Sequence, residues 1–248
     1  ELESMLSQPV PRRSDFKYPL WTQSRLMASL RVAVYYLLSW PATMMMARPR
    51  VRGRQNLRGI RGPLLIVANH ITQADVGFVL AALPGRFRHR LAVAMLGEML
   101  QAMRHPPPEL GLFKRWLEKL SYGLVVALFN VFPLPQQTGF RESFAFAGES
   151  ADRGYSILVF PEGRRTQDGN LSPFQAGIGM LARSLNLPVV PVRIDGLFEL
   201  KIRNQKFSRP GTVKVTIGPV VRFDAATEPS AIARELERRM AELRWNDD

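Results

Sequence analysis

Short apolar runs alternate with helix-like segments along most of the chain. Residues 63–68 form a continuous apolar run after turn residues, which is typical of a buried strand, and residues 76–83 have the composition of a helix start. An edge strand is predicted at 51–53, further strands at 91–95, 130–134, 155–160, 189–194 and 212–217, and further helices at 110–129, 143–152, 177–185 and from 230 onward. Strands that alternate with helices predict an α/β fold in which helices flank a mixed, largely parallel sheet.

The helical segment at 110–129 is unusually apolar toward its end. Its last residues include Leu124, Val125, Val126, Leu128 and Phe129. Such a segment is either a core helix or part of a lipid-facing surface. We interpret it as a core helix and keep the lipid-facing surface as the alternative.

The N-terminal part of the chain combines apolar, aromatic and basic residues. Between residues 21 and 47, Arg25, Arg31 and Pro41 leave no clean run of the roughly 20 apolar residues that a spanning helix needs. Aromatic residues and flanking arginines suit the interface of an anionic membrane. We predict two short helices, broken near Pro41, that lie on or dip into a membrane, with a buried core helix as the alternative. Residues 1–18 are interpreted as a linker or tail, and 19–48 as the membrane-associating helical segment.

The composition favours one domain, or one domain with an appendage, that binds an anionic partner. The 248 residues are enough for a sizeable core, and the net charge is +13. Residues 11–62 contain eleven Lys and Arg residues against a single acid, Asp15. Such a basic block predicts binding to nucleic acid or to acidic lipid headgroups, and a solvated basic face is the alternative.

Several chemistries are excluded by composition or by spacing. The lack of cysteine excludes a disulfide scaffold, a thiolate nucleophile and most structural zinc sites. His70, His89 and His105 show no metal-ligand spacing, so no metal site is predicted. Residues 177–182 fit a dinucleotide-binding fingerprint only formally, because no strand precedes them.

The first candidate site lies at 69–75, between the strand at 63–68 and the helix that follows. In α/β folds, residues at the carboxyl end of a strand are well placed for chemistry. On a continuous helix of about 3.6 residues per turn, His70 and Asp75 would point about 140° apart. If the helix begins at Thr72, Asp75 lies in its first turn and can reach back to His70. The pair then forms a histidine base with an orienting carboxylate, while Thr72 and Asp75 also fit a helix-capping signal.

The second candidate site, at 160–166, follows the strand at 155–160. Gly163 allows close approach of the backbone to a ligand. Arg164 and Arg165 supply forked donors suited to phosphate, and Glu162 can bind a hydroxyl or hold an arginine. Turns that follow two parallel strands face the same edge of a sheet, so this turn and the His70 turn are expected to form one site. A surface turn with solvated charges is the alternative.

The two motifs together, Asn-His-x4-Asp at 69–75 and Phe-Pro-Glu-Gly at 160–163, resemble the glycerolipid acyltransferase family of the 1-acylglycerol-3-phosphate acyltransferase type. The resemblance runs from residue 50 to residue 219. It implies an acyltransferase catalytic domain at 49–248 that moves a fatty acyl group from acyl-CoA or acyl-carrier protein to a lysophospholipid hydroxyl. The expected acceptor is 1-acyl-glycerol-3-phosphate.

The resemblance also implies what the protein binds and where it lies. Family members need no metal or other cofactor, and they sit on membranes through an N-terminal helical pair. We therefore expect a membrane-associated protein at the cytoplasmic face, with acidic lipid rather than nucleic acid as the anionic partner. Relatives can be fused behind acyl-activating ligase domains, so an upstream domain of that kind is a candidate partner.

Roles for individual residues follow from the same resemblance. His70 is the base that deprotonates the acceptor hydroxyl, and Asp75 orients it. The phosphate and glycerol of the acceptor are expected to bind Glu162, Gly163 and Arg165, with Arg164 between them. Further substrate-binding residues are expected among Asn69, Gln136, Arg141, Phe160, Pro161 and Pro191, the last in a motif that lines the acyl-donor site.

The sequence departs from the family pattern at two positions. Arg164 stands where threonine is usual, and Gln136 stands where a phosphate-binding arginine is expected. Either Arg164 or Arg141 substitutes for that arginine, or the acceptor differs from lysophosphatidic acid.

Two other functions compete with acyl transfer to a lysolipid. A basic membrane- or nucleic-acid-binding module without catalysis explains the charge but not the two motifs at strand ends. A thioesterase would use His70 and Asp75 with water as the acceptor. No residue is placed as a covalent nucleophile, so we expect direct transfer in a ternary complex. Backbone N–H groups near Thr72 are expected to stabilise the oxyanion.

Overall fold

The computed structural model describes residues 16–135, 139–203 and 212–245, and within them a seven-stranded sheet lies between two helical layers. Most of the predicted tail and Gln136 lie outside the described residues. The strands are β1 Arg50–Arg52, β2 Leu65–Ala68, β3 Leu91–Leu96, β4 Val131–Leu134, β5 Ser156–Val159, β6 Val189–Asp195 and β7 Lys214–Ile217. The helices are α1 Arg25–Val34, α2 Trp40–Met46, α3 Asp75–Ala82, α4 Gly85–Arg88, α5 Gly97–Arg104, α6 Leu112–Phe129, α7 Phe140–Asp152, α8 Gly177–Leu185, α9 Leu197–Ile202 and α10 Pro229–Glu242.

The sheet has the strand order β1-β7-β6-β2-β5-β3-β4. β6 and β7 pair antiparallel, and every other neighbouring pair is parallel. The predicted α/β fold with a mixed, largely parallel sheet is therefore confirmed. β1 lies at an edge, as predicted for residues 51–53. β2 lies at the centre, so the His70 turn leaves the sheet between β6 and β5.

The central strands are buried on both faces, which explains their continuous apolar sequences. On one face, Ile66 of β2 belongs to the same core as Phe78 of α3. On the other face, Leu65 of β2 belongs to a core with Leu181 of α8 and Leu236 of α10. Burial on both sides holds β2 firmly and so sets the position of the turn that follows it.

Three helices, α4, α5 and α9, were not predicted from the sequence. α5 begins directly after β3, with no turn residue between them and no capping side chain at its start. α9 has six residues and follows Gly196, which is too short a stretch to show a helical period. α4 has only four residues, two of them arginines, and is likewise too short to show a helical period. Each of these elements lacks the local signal on which sequence prediction depends.

The N-terminal segment is one continuous helical run from residue 25 to residue 46, so the predicted break near Pro41 is absent. A π-helical turn at Tyr35–Ser39 joins α1 to α2, and the N–H of Trp40 donates to the carbonyl of Tyr35. Pro41 then lies in the first turn of α2, where a missing N–H costs little. No helix among the described residues combines the length and hydropathy that crossing a membrane requires.

Buried polar contacts fasten the start of this helical run to the rest of the domain. Arg31 is buried and donates to the carbonyl of Thr22 and, at 3.4 Å, to the hydroxyl of Tyr155. Burial lowers the pKa of Arg31. Thr22 is also buried and donates to Oδ1 of Asn130 at 2.7 Å. One side of α1 is therefore an integral part of the fold.

Part of the basic block has a structural role. Arg52 donates to the carbonyls of Leu243 and Arg244, both at 3.1 Å, just beyond the end of α10. Arg54 donates to the last two carbonyls of α3 at 2.9 and 2.8 Å. Cations at helix C-termini satisfy free carbonyls and interact favourably with the helix dipole. The charges of Arg52 and Arg54 therefore stabilise helix ends within the protein.

α6 is exposed along most of its length, so the interpretation as a core helix is wrong for its first three turns. Val126 is the only buried residue among its 18. Val125 and Phe129 pack partly against the core. The large exposed apolar residues of α6 are Leu112, Phe113, Trp116, Leu117, Leu120 and Leu124.

Candidate active site

The turns after β2 and β5 lie side by side at the carboxyl edge of the sheet. The two strands are parallel neighbours, and Val67 pairs with Val159 near their carboxyl ends. The chain therefore leaves both strands at the same edge, as predicted. The N–H of Thr166 donates to the carbonyl of His70 at 2.9 Å and joins the two turns directly.

His70 and Asp75 form a hydrogen bond. Nδ1 of His70 lies 2.7 Å from Oδ2 of Asp75. α3 begins at Asp75, so the residues between the two are a turn and their side chains can meet. Asp75 is fully buried, and the side chain of His70 is 26% exposed. Because an ionised carboxylate can only accept, Nδ1 carries the proton and Nε2 is left as the basic atom.

The Asp75 carboxylate also closes the turn that carries His70. Its oxygens accept the N–H of Ile71 at 2.6 Å, the N–H of Thr72 at 3.0 Å and the hydroxyl of Thr72 at 3.0 Å. Oγ1 of Thr72 in turn accepts the N–H of Ala74 at 3.1 Å. Asp75 therefore both closes this cap-like turn and orients the histidine. We expected N–H groups near Thr72 to stabilise the oxyanion. The N–H of Thr72 instead donates to the Asp75 carboxylate, so it is not free for that role.

Glu162 lies beneath the histidine turn. Its side chain is 2% exposed. Oε1 accepts the N–H of His70 at 2.8 Å, and Oε2 accepts the N–H of Ser172 at 2.9 Å. Burial raises the pKa of Glu162, and the two N–H donors oppose that shift because they stabilise the ionised form. The carboxylate thus ties together three segments of chain, with both oxygens engaged.

Phe160 contacts His70, while Pro161 and Gly163 shape the backbone of this turn. The ring of Phe160 stacks on the imidazole with a centroid distance of 4.5 Å and an angle of 28°. Pro161 is buried, and its carbonyl accepts the N–H of Gln175 at 2.9 Å. Gly163 has φ 69°, a conformation that favours glycine. The turn therefore presents one aromatic face to the histidine.

Asn69 and Pro191 contribute to the sheet next to the site. Nδ2 of Asn69 donates to the carbonyl of Ile194 at 2.9 Å, and Oδ1 accepts the N–H of Ile194 at 2.7 Å. Pro191 is buried in β6 and pairs with Val67 of β2. The amide of Asn69 thus extends the pairing of β2 with β6 up to the histidine.

The arginines of the second turn are at its exposed side. Arg164 and Arg165 are both exposed, and within the described parts of the chain neither guanidinium has a hydrogen-bond or ion-pair partner. Lys201 of α9 donates to the carbonyl of Thr166 at 3.3 Å, which adds a cation that sequence reasoning missed. No motif marks Lys201, because α9 itself was not predicted.

The loop after this turn is closed by Asp168. Oγ1 of Thr166 and the N–H of Asn170 donate to Oδ1 of Asp168, each at 3.0 Å, and Nδ2 of Asn170 donates to Oδ2. These donors, the Asn170 side chain first, lower the pKa of Asp168 to about 2. The loop is therefore held by an ionised carboxylate.

Of the two remaining predicted substrate-binding residues, Arg141 and Gln136, the structure describes only Arg141. Arg141 is exposed on α7 and lines a surface groove with Met180 and Leu185 of α8. Gln136 lies outside the described residues. Ser172, which holds Glu162, was also missed, because a contact through a backbone N–H leaves no signature in the residue type.

A basic histidine held by a buried carboxylate at the carboxyl edge of an α/β sheet agrees with the acyltransferase class. The family model described as Acyltransferase matches residues 48–195, a stretch that contains β1 to β6 and both turns. The chain belongs to this acyltransferase family.

Individual relatives agree with the family assignment. A 1-acyl-sn-glycerol-3-phosphate acyltransferase of Pseudomonas aeruginosa is 37% identical over 92 residues, which are 37% of this chain and 34% of that protein. The 1-acyl-sn-glycerol-3-phosphate acyltransferase beta of Homo sapiens is 28% identical over 173 residues, which are 68% of this chain and 54% of that protein. The matches thus span about a third and about half of these two relatives.

A solved structure has the same fold. The crystal structure of the 1-acyl-sn-glycerophosphate acyltransferase PlsC from Thermotoga maritima is similar with a TM-score of 0.60 at 20% identity. The similarity covers 99% of this chain and 88% of that one. It confirms the sheet flanked by helices that the sequence predicted.

Proposed function

We propose that this protein transfers a fatty acyl group from an acyl thioester to the free hydroxyl of a lysophospholipid, with 1-acyl-glycerol-3-phosphate as the acceptor. The 2.7 Å hydrogen bond from Nδ1 of His70 to Asp75 carries the proposal, because the histidine is oriented and still partly exposed. Family membership and the relatives named for this acceptor support the same reaction. The donor is acyl-CoA or acyl-carrier protein.

In the proposed reaction His70 acts as a general base. Nε2 takes the proton of the acceptor hydroxyl as its oxygen attacks the carbonyl carbon of the thioester. The new carbon–oxygen bond forms, the carbon–sulfur bond breaks, and the imidazolium returns its proton to the leaving thiolate. The buried carboxylate of Asp75 stabilises the imidazolium between these steps. Such proton transfer typically contributes about 10²–10⁴-fold to the rate.

The acceptor's phosphate binds the exposed arginines of the second turn. Arg164 and Arg165 offer forked donors without partners among the described residues. Glu162 acts on the acceptor indirectly, since both its oxygens hold backbone N–H groups under the site. Gly163, with φ 69°, lets the chain turn between Glu162 and the two arginines.

The protein acts while associated with the cytoplasmic face of a membrane through residues 19–48. α1 and α2 support this location, because one side of α1 is fastened to the domain while large apolar side chains of both helices face outward. These are Leu26, Leu30, Trp40 and Met45. Amphipathic segments with aromatic residues and flanking arginines bind at the interface of anionic bilayers.

Purified protein with oleoyl-CoA and 1-acyl-glycerol-3-phosphate in vesicles tests the reaction, with thiol release and product mass as readouts. We expect thiol release that depends on the acceptor and falls about 10²–10⁴-fold in His70→Ala. His105→Ala is the matched control, since His105 lies at the end of α5 and belongs to neither turn.

Three results would contradict the proposal. Near wild-type transfer by His70→Ala would remove the base from the mechanism. Thiol release that does not depend on the lysolipid would indicate a thioesterase. Tight oligonucleotide binding without any thiol release would favour a module without catalysis.

A further inference from the structure

α6 presents a continuous apolar stripe to solvent. Phe113, Trp116, Leu117, Leu120 and Leu124, here called the α6 stripe, follow the spacing i, i+3, i+4, i+7 and i+11, which places them on one side of the helix. Phe113 is 73% exposed and Trp116 is 58% exposed. Contiguous exposed patches of large apolar side chains are uncommon on soluble proteins and mark interaction surfaces.

The charges of α6 are arranged around this stripe. Lys114 and Lys119 are exposed and lie about 100° to either side of the stripe on a helical projection. Glu118 lies about 150° from it, on the opposite side. An apolar face with aromatic residues and a lysine rim is the pattern of a helix that lies at the interface of an anionic bilayer.

The helix that carries the stripe is a neighbour of the N-terminal helix α1. α1 packs against α6, and Arg31 of α1 donates to the carbonyl of Ala127 of α6 at 3.4 Å. α1 itself exposes Leu26 and Leu30, one turn apart. The two apolar surfaces are therefore carried by neighbouring helices that are held together by a hydrogen bond.

The topology places the aromatic end of the stripe near the active edge. β2 pairs parallel with β5, β5 with β3, and β3 with β4, so all four strands run in the same direction. The helix that leads back into β4 therefore starts near the carboxyl edge of the sheet and ends at its amino edge. Phe113 and Trp116 are in the first two turns of α6. They therefore lie toward the carboxyl edge of the sheet, which is the edge where His70 lies.

We propose that the α6 stripe is a second membrane-docking element, which inserts into the interface of an anionic bilayer while Lys114 and Lys119 contact the lipid headgroups. It extends the membrane association proposed for residues 19–48 and rests on that proposal for its context. Docking through α6 and through residues 19–48 would hold the carboxyl edge of the sheet, where His70 lies, against the membrane. A lysophospholipid must come from that membrane.

Vesicle co-sedimentation of the full chain, without substrates, tests the proposal. Leu120→Glu is compared with Met180→Glu, because Leu120 is 41% and Met180 is 45% exposed but Met180 lies on α8. With vesicles of phosphatidylcholine and phosphatidylglycerol, we expect Leu120→Glu to weaken binding about ten-fold or more and Met180→Glu to leave it unchanged. Equal binding by the two variants would overturn the proposal.

The lysine rim has its own prediction. Lys114→Gln and Lys119→Gln should each weaken binding to the phosphatidylglycerol vesicles about five-fold and leave binding to pure phosphatidylcholine unchanged. Equal losses on both vesicle types would contradict the assigned contact with acidic headgroups.

Three further measurements test the insertion of Trp116 and separate self-association and catalysis from docking. Brominated lipid should quench tryptophan fluorescence less in Trp116→Phe, which keeps the stripe apolar, and equal quenching would overturn the insertion of Trp116. A wild-type dimer in vesicle-free buffer that Leu120→Glu converts to a monomer would assign the stripe to a second copy instead. His70→Ala should bind vesicles like the wild type, so loss of acyl transfer and loss of docking are read independently.

Discussion

The carboxylate of Glu162 accepts the backbone N–H of His70 at 2.8 Å from a position that is almost fully buried. The His70 turn is thus held from below by Glu162 and from the side by Asp75, whose oxygen lies 2.7 Å from Nδ1 of His70. One carboxylate sets the position of the backbone and the other sets the orientation of the ring. These two functions can be separated by mutation.

Glu162→Gln should lower kcat about ten-fold with little change in the KM of the acceptor. The amide keeps one acceptor but turns an N–H₂ group toward a backbone N–H, and a buried donor without a partner costs about 1–3 kcal/mol. Glu237→Gln is the control, because Glu237 holds the N–H of Phe174 at 2.9 Å and does not touch His70. Steady-state kinetics and thermal unfolding distinguish the two, and an equal loss of kcat in both variants would show only general loosening.

Asp75→Asn should lower kcat about 10²–10⁴-fold and also lower the stability of the fold. The two oxygens of Asp75 accept from His70, Ile71 and Thr72, so an amide nitrogen meets a donor in either orientation. The histidine then loses its fixed tautomer, and the turn loses a cap. Thiol release and thermal denaturation measure the two effects. Wild-type turnover in a folded Asp75→Asn protein would contradict the assigned role.

Arg164→Gln and Arg165→Gln should raise the KM for the phosphate-bearing acceptor by about ten-fold while kcat stays close to wild type. A charge-assisted hydrogen bond to phosphate contributes about 1.5–3 kcal/mol, and Gln removes the charge. Arg183→Gln on α8 is a matched control, because Arg183 is likewise an exposed arginine. A panel that includes monoacylglycerol, which has no phosphate, checks the assignment. An equal rise in KM for that acceptor would mean that the arginines do not read phosphate.

The loop held by Asp168 should loosen as the pH falls from 3.8 toward 2. Its pKa is lowered from 3.8 to about 2 in the folded protein, so its stabilising effect is fully present above 3.8 and is lost as the carboxylate is protonated. Amide exchange at Asn170, whose N–H donates to Asp168, reports this transition. Asp168→Asn should already exchange faster at neutral pH and show little further change in this range. An unchanged pH profile in the variant would rule out Asp168 as its source.

Much of the fold and the core of the site could be predicted because the relevant signals are local. The apolar runs of β2 and β5 are continuous because both faces of these strands are buried, and that burial is visible in composition alone. His70 and Asp75 are five residues apart, so a turn that ends in a helix start was enough to predict their contact, although α3 begins at Asp75 and not at Thr72. The rule that parallel strands share a carboxyl edge then placed the second turn beside them.

Other contacts of the site depend on which strands become neighbours. Glu162 meets the N–H of His70 across 92 residues of sequence, and Asn69 meets Ile194 across 125. Both contacts are made to backbone atoms, which every residue type carries, so no pattern of side chains marks them. The strand order, with β2 between β5 and β6, decides them.

The sequence of α6 determined an apolar helix but not whether another element covers it. Periodicity reports which side chains share a face, and burial depends on what packs there. The structure packs Val126 and its neighbours inward and leaves Phe113 and Trp116 in solvent. The sequence by itself therefore determined the contact between His70 and Asp75 and the fold class, because their signals lie within a few residues. The buried support of His70 and the exposed stripe were decided by tertiary packing, which brings distant segments together or leaves them apart.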